Sequence, residues 1–258
     1  MTDALYAEWT KLRTLTSTAW LLLGAVALTI GISVAVLAAT HQSPGSGGGQ
    51  DPAKIVLTGI DLGQTVIAVL AVLAISEEYG TGMIRTTLAA MPRRLITLGA
   101  KAVNVTALTL AAGVLAVVGC LIAGRLMLPA DGLGPARGYA LVSIAHGPVL
   151  RASAGSVIYL VLIGLLALGV ATAIRDTAVS VGVVLALLFL PPLLAQAVSD
   201  PLRRHIEQIA PMTTGLAIQA TTSLRNQPIA PWAGLAVLAA WAAASLLLAG
   251  LLLRHRDA

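Results

Sequence analysis

The most restrictive feature of this sequence is a series of six apolar runs, each about as long as a lipid bilayer is thick. A helix rises 1.5 Å per residue, so about 20 apolar residues cross a hydrocarbon core of roughly 30 Å. The runs cover approximately residues 19–40, 55–75, 102–124, 152–174, 178–198 and 230–253. We therefore predict an all-α integral membrane protein in which residues 1–258 form a single transmembrane domain with six membrane-spanning helices.

The charged residues support this prediction by their scarcity and their positions. They make up 10% of the chain, against about 25% in a typical soluble domain. All but one of them fall outside the six runs, and the exception is Asp61. An ordinary soluble enzyme is excluded. The net charge of +5 is explained by orientation in the membrane and by anionic lipid headgroups, so we expect a lipid bilayer and no nucleic acid as partner.

The orientation in the membrane follows from the basic residues between the runs. Six spans place both termini on the same side, and Lys and Arg concentrate on the cytoplasmic side of membrane proteins. The second connection carries Arg85, Arg93, Arg94 and Lys101, whereas the first loop carries only Lys54. We predict a multi-pass protein of the cell membrane with both termini in the cytoplasm. The first run is too long for the core of a cleaved signal peptide and is interpreted as a retained span.

Residues suited to catalysis or to metal binding are few. The histidines His41, His146, His205 and His255 all lie outside the runs, and Cys120 is the single cysteine. No phosphate-binding GxxxxGK[ST] loop is present. We therefore expect no catalytic residue, no metal ion and no cofactor in this chain.

One pair of acidic residues suggests an enzyme class. Glu77 and Glu78 are similar to the paired glutamates of intramembrane CAAX-type proteases. Arg85 is too far along the chain for that pattern, and the histidines that such an enzyme carries on its helices are missing. An intramembrane enzyme is the least favoured of the hypotheses.

A polar patch interrupts the apolar surface of the second run around Asp61. Its members recur at helical spacing, and the first run adds two hydroxyl side chains. We predict that these residues line a substrate pathway. The alternatives stay open that Asp61 reaches the interface or pairs with another helix, and that the hydroxyls of the first run bond within their own helix. The predicted pathway residues are Thr29, Ser33, Thr58, Asp61, Gln64 and Thr65.

Glycine and proline patterns predict details of helix packing. Small residues let helices approach closely, and two prolines near the outer end of the fifth run are expected to bend or break that helix. The residues concerned are Gly24, Gly31, Gly164, Gly169, Pro191 and Pro192.

Two loops differ in character. Residues 41–54 are rich in Gly, Ser and Pro and predict a flexible outer loop. In residues 199–210, Ser199 or Asp200 followed by Pro201 is a helix-start signal, and Leu202, Ile206 and Ile209 lie on one helical face. A short amphipathic helix is expected there, at the outer surface.

Two further segments are expected to lie along the inner surface. Near the N-terminus, Leu5, Trp9 and Leu12 share one helical face, from which the charged side chains are displaced. Residues 76–101 are too long for a turn and too polar to cross the membrane. On its own pattern alone, this second segment would be interpreted as an interfacial helix whose charged side chains are solvated.

Taken in order, these features resemble the membrane subunits of ABC-type-2 transporters, in particular the compact six-span permeases common in actinobacteria. The motifs that carry the resemblance are E-W-T-K-L-R at Glu8 to Arg13 and E-Y-x-x-G-x-x-R-x-x-L-x-x-x-P-R at Glu78 to Arg93. The short outer helix after Asp200 is also similar to the small external helices of that family. The resemblance covers essentially the whole chain and leaves the long loop 125–151 unexplained.

The resemblance implies a permease subunit that exports amphipathic or hydrophobic compounds such as drugs, lipids or peptides. ATP and Mg would bind to separate ATP-binding subunits, two copies of which would act on a homodimer or on a heterodimer with a similar permease. It further implies an interfacial N-terminal helix with Trp9, Lys11 and Arg13, and a cytoplasmic coupling helix between spans 2 and 3. The implied coupling residues are Glu77, Glu78, Tyr79, Gly80, Thr81, Gly82, Arg85, Pro92, Arg93 and Arg94, with Arg175 and Asp176 as a second, weaker contact.

The alternative function is a membrane anchor or assembly protein that transports nothing. In that hypothesis the basic interfacial segment recruits a soluble partner or anionic lipid.

Overall fold

The fold is known from a computed structural model, which describes residues 16–41, 51–80, 94–127, 147–222, 224 and 227–255. Positions 16–18, 41, 77–80, 94 and 255 are described as helix backbone only. The predicted N-terminal helix with Trp9, Lys11 and Arg13 lies outside the described residues. So does most of the predicted coupling helix, residues 81–93.

The described residues are helical and contain no strand, which confirms the all-α prediction. A 3-10 turn, Ala217–Gln219, follows the eighth helix. The α-helices are α1 (Thr16–His41), α2 (Pro52–Leu57), α3 (Ile60–Gly80), α4 (Arg94–Met127), α5 (Gly147–Ile174), α6 (Thr177–Ala195), α7 (Asp200–Ile209), α8 (Pro211–Leu216) and α9 (Pro231–His255).

Six helical segments are long and apolar enough to cross a membrane, as the six runs predict. They are Ala19–Thr40, Pro52–Ser76, Leu95–Met127, Gly147–Ile174, Thr177–Ala195 and Pro231–Arg254. The second span consists of α2 and α3 together. The chain therefore has the helices of a multi-pass membrane protein.

The spans are longer than the apolar runs, which corrects one prediction. Asp61 is not the single charged residue within them, because Lys54, Lys101, Arg125, Arg151 and Arg254 also fall inside the bounds of the spans. All five lie near a helix end, where a long basic side chain reaches the interface or a backbone carbonyl. Helices continue past the hydrocarbon core, and a hydropathy pattern detects only the core.

Helix α5 lies at the centre of the bundle. It packs against α9, α3, α4 and α6, and 61% of the residues in its most apolar window are buried. For α1 and α6 the buried share is 22%. These two helices therefore present apolar surfaces that a bilayer or another protein must cover.

Glycines mediate close packing in α5 but not in α1. A Cβ on Gly164 would lie 3.2 Å from the Thr109 side chain, and one on Gly169 would contact the Ser245 backbone at 2.7 Å. Gly24 and Gly31 have nothing within 4 Å and are exposed in the described chain. The prediction for these two glycines is wrong for the described bundle, because they face away from it.

The fifth span is one continuous helix that extends past its two prolines. Pro191 and Pro192 lie inside α6, which continues to Ala195. Of the two expected effects, a bend or a break, the break at the prolines is wrong. A proline removes one hydrogen bond and does not end a helix whose remaining turns stay paired.

The amphipathic helix predicted near residue 200 is present as α7. Ser199 occupies the N-cap position, and Leu202 and Ile209 are exposed on the apolar face. On the polar face Arg203 Nε donates to Glu207 Oε1 at 2.8 Å, one turn further on. This hydrogen bond raises the pKa of the Arg203 guanidinium above its ordinary value.

The chain after α7 enters the bundle and returns, and we call residues 210–222 the return segment. Gly215 packs on the ring of Tyr159 in α5, and Ile218 covers Gly155 one turn earlier in α5. Gly234 at the start of α9 allows contact with the Thr214 carbonyl. Irregular backbone at this depth is tolerated because protein covers it on both sides.

Polar contacts attach the return segment to the starts of α2 and α5. Asp51 caps α2 by accepting from Ala53 N at 3.1 Å, and it also accepts from Thr222 N at 2.9 Å and from both N and Oγ1 of Thr221. Arg151 Nη2 donates to the Ala220 carbonyl. We call this side of the bundle the Asp51 end and the opposite side, where α5 meets α6, the Arg175 end.

Asp51→Ala is expected to lower stability more than Asp176→Ala. Asp176 only caps α6, which is worth about 1 kcal/mol, whereas Asp51 caps α2 and holds residues 221–222 as well. Hydrogen bonds to charged groups contribute about 1.5–3 kcal/mol each. Thermal unfolding in detergent measures the two effects, and equal losses would mean that the return segment does not depend on Asp51.

Candidate functional site

The predicted pathway residues divide into two groups in the structure. Thr29, Ser33 and Gln64 are buried between helices. Thr58, Asp61 and Thr65 are partly exposed on one side of the second span. The sequence predicts that all six line one pathway, but the two groups have different neighbours in the structure.

The buried group surrounds a break in the second span. Helix α2 ends at Leu57 and α3 begins at Ile60, so Thr58 and Gly59 form a turn between them. At this turn the backbone N–H of Gly59 donates to Ser33 Oγ of α1 at 3.1 Å. A buried N–H without a partner is costly in a bilayer, and Ser33 supplies the acceptor.

Close contact between α1 and the break depends on two glycines spaced four residues apart. A Cβ on Gly59 would collide with the Thr29 carbonyl, and one on Gly63 would collide with Thr29 Oγ1. The spacing Gly59-x-x-x-Gly63 is the small-residue pattern that brings membrane helices together. These glycines position Ser33 within hydrogen-bonding distance of the break.

The hydroxyl groups of α1 behave differently from each other. Thr29 Oγ1 donates to the Ala25 carbonyl of its own helix at 2.7 Å, as the alternative interpretation expects. Ser33 instead bonds outside its helix, because Cys120 Sγ of α4 donates to Ser33 Oγ at 3.3 Å in addition to the bond from Gly59. Ser33 therefore joins three spans.

Gln64 is held by a second buried contact, with α5. Tyr159 OH donates to Gln64 Oε1, and Gln64 Nε2 donates to the Asp61 carbonyl at 2.8 Å. Tyr159 and Gln64 are both fully buried. Paired polar groups in a low-dielectric interior fix the position of the helices that carry them.

The partly exposed group lies around Asp61 in the first turn of α3, where the helix dipole favours a negative charge. The Asp61 carboxylate makes no hydrogen bond and no ion pair with any residue that the structure describes. Thr58 Oγ1 donates to the Lys54 carbonyl at 2.8 Å. Thr65 Oγ1 is buried and has no partner among the described groups.

The described part of the predicted coupling contact is a two-residue connection at the Arg175 end. Only Arg175 and Asp176 separate α5 from α6, as predicted. Asp176 Oδ1 accepts from Val179 N at 2.8 Å and caps α6. Arg175 has a φ of 66°, a left-handed conformation that few residues other than glycine adopt.

The other predicted coupling residues fall at or beyond the helix ends. Glu77, Glu78, Tyr79 and Gly80 belong to the last turn of α3, and Arg94 begins α4, each described as backbone only. The residues outside the described chain are Thr81, Gly82, Arg85, Pro92 and Arg93.

Lys101 differs most from its expected environment. The sequence groups it with the basic residues of the second connection, but it lies within α4 and only 3% of it is exposed. Its Nζ donates to the Ala74 carbonyl of α3 at 3.2 Å. Lys101 thus joins α3 to α4 two turns after the connection.

Sequence reasoning missed Gly59, Gly63, Cys120 and Tyr159. The glycine spacing is a visible signal, whereas nothing in the sequence pairs Cys120 with Ser33 or Tyr159 with Gln64. No three His, Cys, Asp or Glu side chains lie together as metal ligands in the ranges that the structure covers.

Comparisons with known proteins add no family. No model of a known protein family matches the chain, and no curated protein matches it either.

Gly59→Ala is expected to destabilise the protein by about 2 kcal/mol or more, since overpacking a close contact costs about 1–3 kcal/mol and backbone atoms lie opposite the new methyl group. Gly31→Ala is the matched control, because it also adds one methyl to a span but meets open space. Unfolding in mixed micelles measures both variants. If Gly59→Ala is as stable as Gly31→Ala, the close approach of α1 is wrong.

Tyr159→Phe is expected to cost about 1–3 kcal/mol, because it leaves a buried amide oxygen without its donor. The double variant Tyr159→Phe/Gln64→Leu removes both polar partners and should recover part of that loss. A double-mutant cycle on unfolding free energies measures the coupling. Additive effects would show that the two side chains do not interact.

Proposed function

We propose that this chain is the membrane-spanning permease subunit of an ATP-driven ABC transporter that exports amphipathic or hydrophobic compounds. ATP and Mg would bind to a separate subunit in two copies. The observation that carries the proposal is the order of the two motifs along the chain, E-W-T-K-L-R before the first span and E-Y-x-x-G-x-x-R-x-x-L-x-x-x-P-R between the second and third.

The exposed apolar surfaces of α1 and α6 agree with a permease that works as a dimer. Only 22% of each helix's span window is buried within one chain. A second copy of the chain, or a similar permease, would cover part of that surface, and lipid would cover the rest. The proposed pathway lies between the two permeases, along the partly exposed side of the second span.

A hydrogen bond between α3 and α4 supports a coupling role for the connection that joins them. This connection joins α3 to α4, and the Lys101–Ala74 hydrogen bond links the same two helices. A push on the connection by an ATP-binding subunit would therefore move α3 and α4 together. Closure on ATP would shift the populations of inward-open and outward-open states by differential binding.

The proposed orientation follows the basic residues. The Arg175 end faces the cytoplasm, where residues 81–93 and the pair Arg175–Asp176 contact the ATP-binding subunits. The Asp51 end faces outward in the cell membrane, and both termini are cytoplasmic. Helix α7 then lies at the outer surface with its apolar face towards lipid.

Co-purification with an ATP-binding subunit tests the proposal. We expect a stable complex whose ATP hydrolysis falls about tenfold in Arg85→Glu or Glu78→Lys, since reversing a charge at a docking contact costs about 1.4 kcal/mol or more. Arg204→Glu is the matched control, because it reverses a charge on α7, away from the proposed contact.

The outcomes of this experiment distinguish a transporter subunit from a membrane anchor. An intact complex with unaltered hydrolysis in both variants would contradict the coupling assignment. A chain that binds no ATP-binding subunit but retains a soluble partner or anionic lipid through residues 76–101 would favour the membrane anchor. A neighbouring open reading frame with a GxxxxGK[ST] motif would favour the transporter.

A further inference from the structure

Among the described acidic residues, Asp61 is the one that lies inside a span and is left unpaired. Asp51 accepts four hydrogen bonds, and Asp176 caps α6. Glu207 pairs with Arg203 on α7, and Asp200 lies on that same helix outside the spans. An unpaired carboxylate at membrane depth is costly and marks functional positions.

The depth of Asp61 follows from the helix geometry. Asp61 comes nine residues after Pro52, the first residue of the span, which is about 13 Å along a helix axis at 1.5 Å per residue. This distance places the carboxylate below the interface at the Asp51 end, within the hydrocarbon region. Water is scarce there, so a neutralising partner has a large effect on its free energy.

Asp61 belongs to a polar stripe on an otherwise apolar surface. Lys54, Thr58, Asp61 and Thr65 follow one another at intervals of four, three and four residues, so they share one face of the second span. All four are exposed or partly exposed. Beside them Leu62 is 47% exposed, and the surface thus combines one negative charge with apolar contacts.

A second polar atom on this stripe is also unsatisfied. Thr65 Oγ1, one turn after the carboxylate, is buried without a partner among the described groups. Gln64 does not compensate the charge, because its amide is occupied by Tyr159 and by the Asp61 carbonyl. A ligand at this place therefore finds the Asp61 carboxylate without a competing partner, whereas the Thr65 hydroxyl oxygen lies beneath the surface.

The chemistry of these groups selects the ligand. One carboxylate supplies too few oxygen ligands to replace the water shell of an inorganic divalent cation. A negatively charged compound is repelled by Asp61. An organic cation whose charge is surrounded by apolar groups fits both the carboxylate and the apolar surface.

We infer that the stripe around Asp61 is a binding site for lipophilic organic cations, which narrows the cargo class of the permease. The inference rests on the proposed function only in treating such a cation as cargo. Lys54 lies close enough for an electrostatic interaction with Asp61 and competes weakly with the ligand from the start of the span.

Equilibrium binding of radiolabelled tetraphenylphosphonium to the purified chain tests the site without ATP or a partner subunit. We expect Asp61→Asn to weaken binding about tenfold and Asp61→Glu about threefold or less, because a carboxylate a few ångströms from a cation attracts it strongly in a poorly hydrated site. Asp200→Asn is the matched control with no change. Tetraphenylborate has the same shape and a negative charge. It should bind weakly, and its affinity should not fall in Asp61→Asn.

Removal of Lys54 gives an independent measurement. Lys54→Met should tighten tetraphenylphosphonium binding about threefold, because it removes a competing positive charge. If Asp61→Asn does not fold, the change in tetraphenylphosphonium affinity in Lys54→Met tests the site instead. Unchanged affinity in Lys54→Met or in folded Asp61→Asn, tighter binding of tetraphenylborate, or no saturable binding would each overturn the site.

Failure of this site and failure of the proposed function give different results. Asp61-dependent binding in a chain that recruits no ATP-binding subunit keeps the site and contradicts the transporter. Recruitment and coupled hydrolysis without Asp61-dependent binding keep the transporter and contradict the site.

Discussion

The hydrocarbon core supplies no water, so every backbone N–H exposed by an interrupted helix needs a partner from the protein. In this chain the second span is interrupted at Thr58 and Gly59, and Ser33 of α1 provides that partner. The bond requires α1 to approach closely, which only glycine at positions 59 and 63 permits. The interrupted turn therefore sets how closely α1 approaches the second span, while α1 also packs along α4.

The polar residues that follow this interruption differ in whether they have hydrogen-bond partners within the described chain. Ser33 and Gln64 are buried on the bundle side of the second span, where each has its hydrogen-bond partners. Asp61 and Thr65 follow on the partly exposed side, where the carboxylate and the hydroxyl have no partner among the described groups. The paired polar groups on the bundle side stabilise the fold, whereas the Asp61 carboxylate is the group that the proposed ligand would contact.

The sequence predicted the parts of the fold that depend on local patterns. The six spans follow from apolar length, and α7 follows from a start signal at Ser199 to Pro201 with apolar periodicity. Lys101 was misassigned because a charge at the end of an apolar run indicates a loop unless a partner carbonyl, here that of Ala74, is known. The return segment has too few residues to give a periodicity.

The candidate site was predicted only in outline, because contacts between distant helices leave no local pattern in the sequence. Sequence spacing grouped Thr58, Asp61, Gln64 and Thr65 in one patch of the second span; three of them share the partly exposed side, whereas Gln64 is buried. It could not reveal that Ser33 and Gln64 have partners on other spans, since such contacts depend on how distant helices pack. The motif between residues 78 and 93 remains a prediction, since most of it lies outside the described residues.

The return segment also sets an order of assembly during synthesis. Its buried face packs on α5, which precedes it, and on α9, which follows it, while Asp51 bonds to Thr221 across 170 positions. Its burial is complete only when α9 packs against it, whereas the backbone groups of Ala210 and Ala220 bond to residues that precede the segment or lie within it. Polar contacts can therefore form before α9 is synthesised, and α9 then closes the apolar contacts at the Asp51 end.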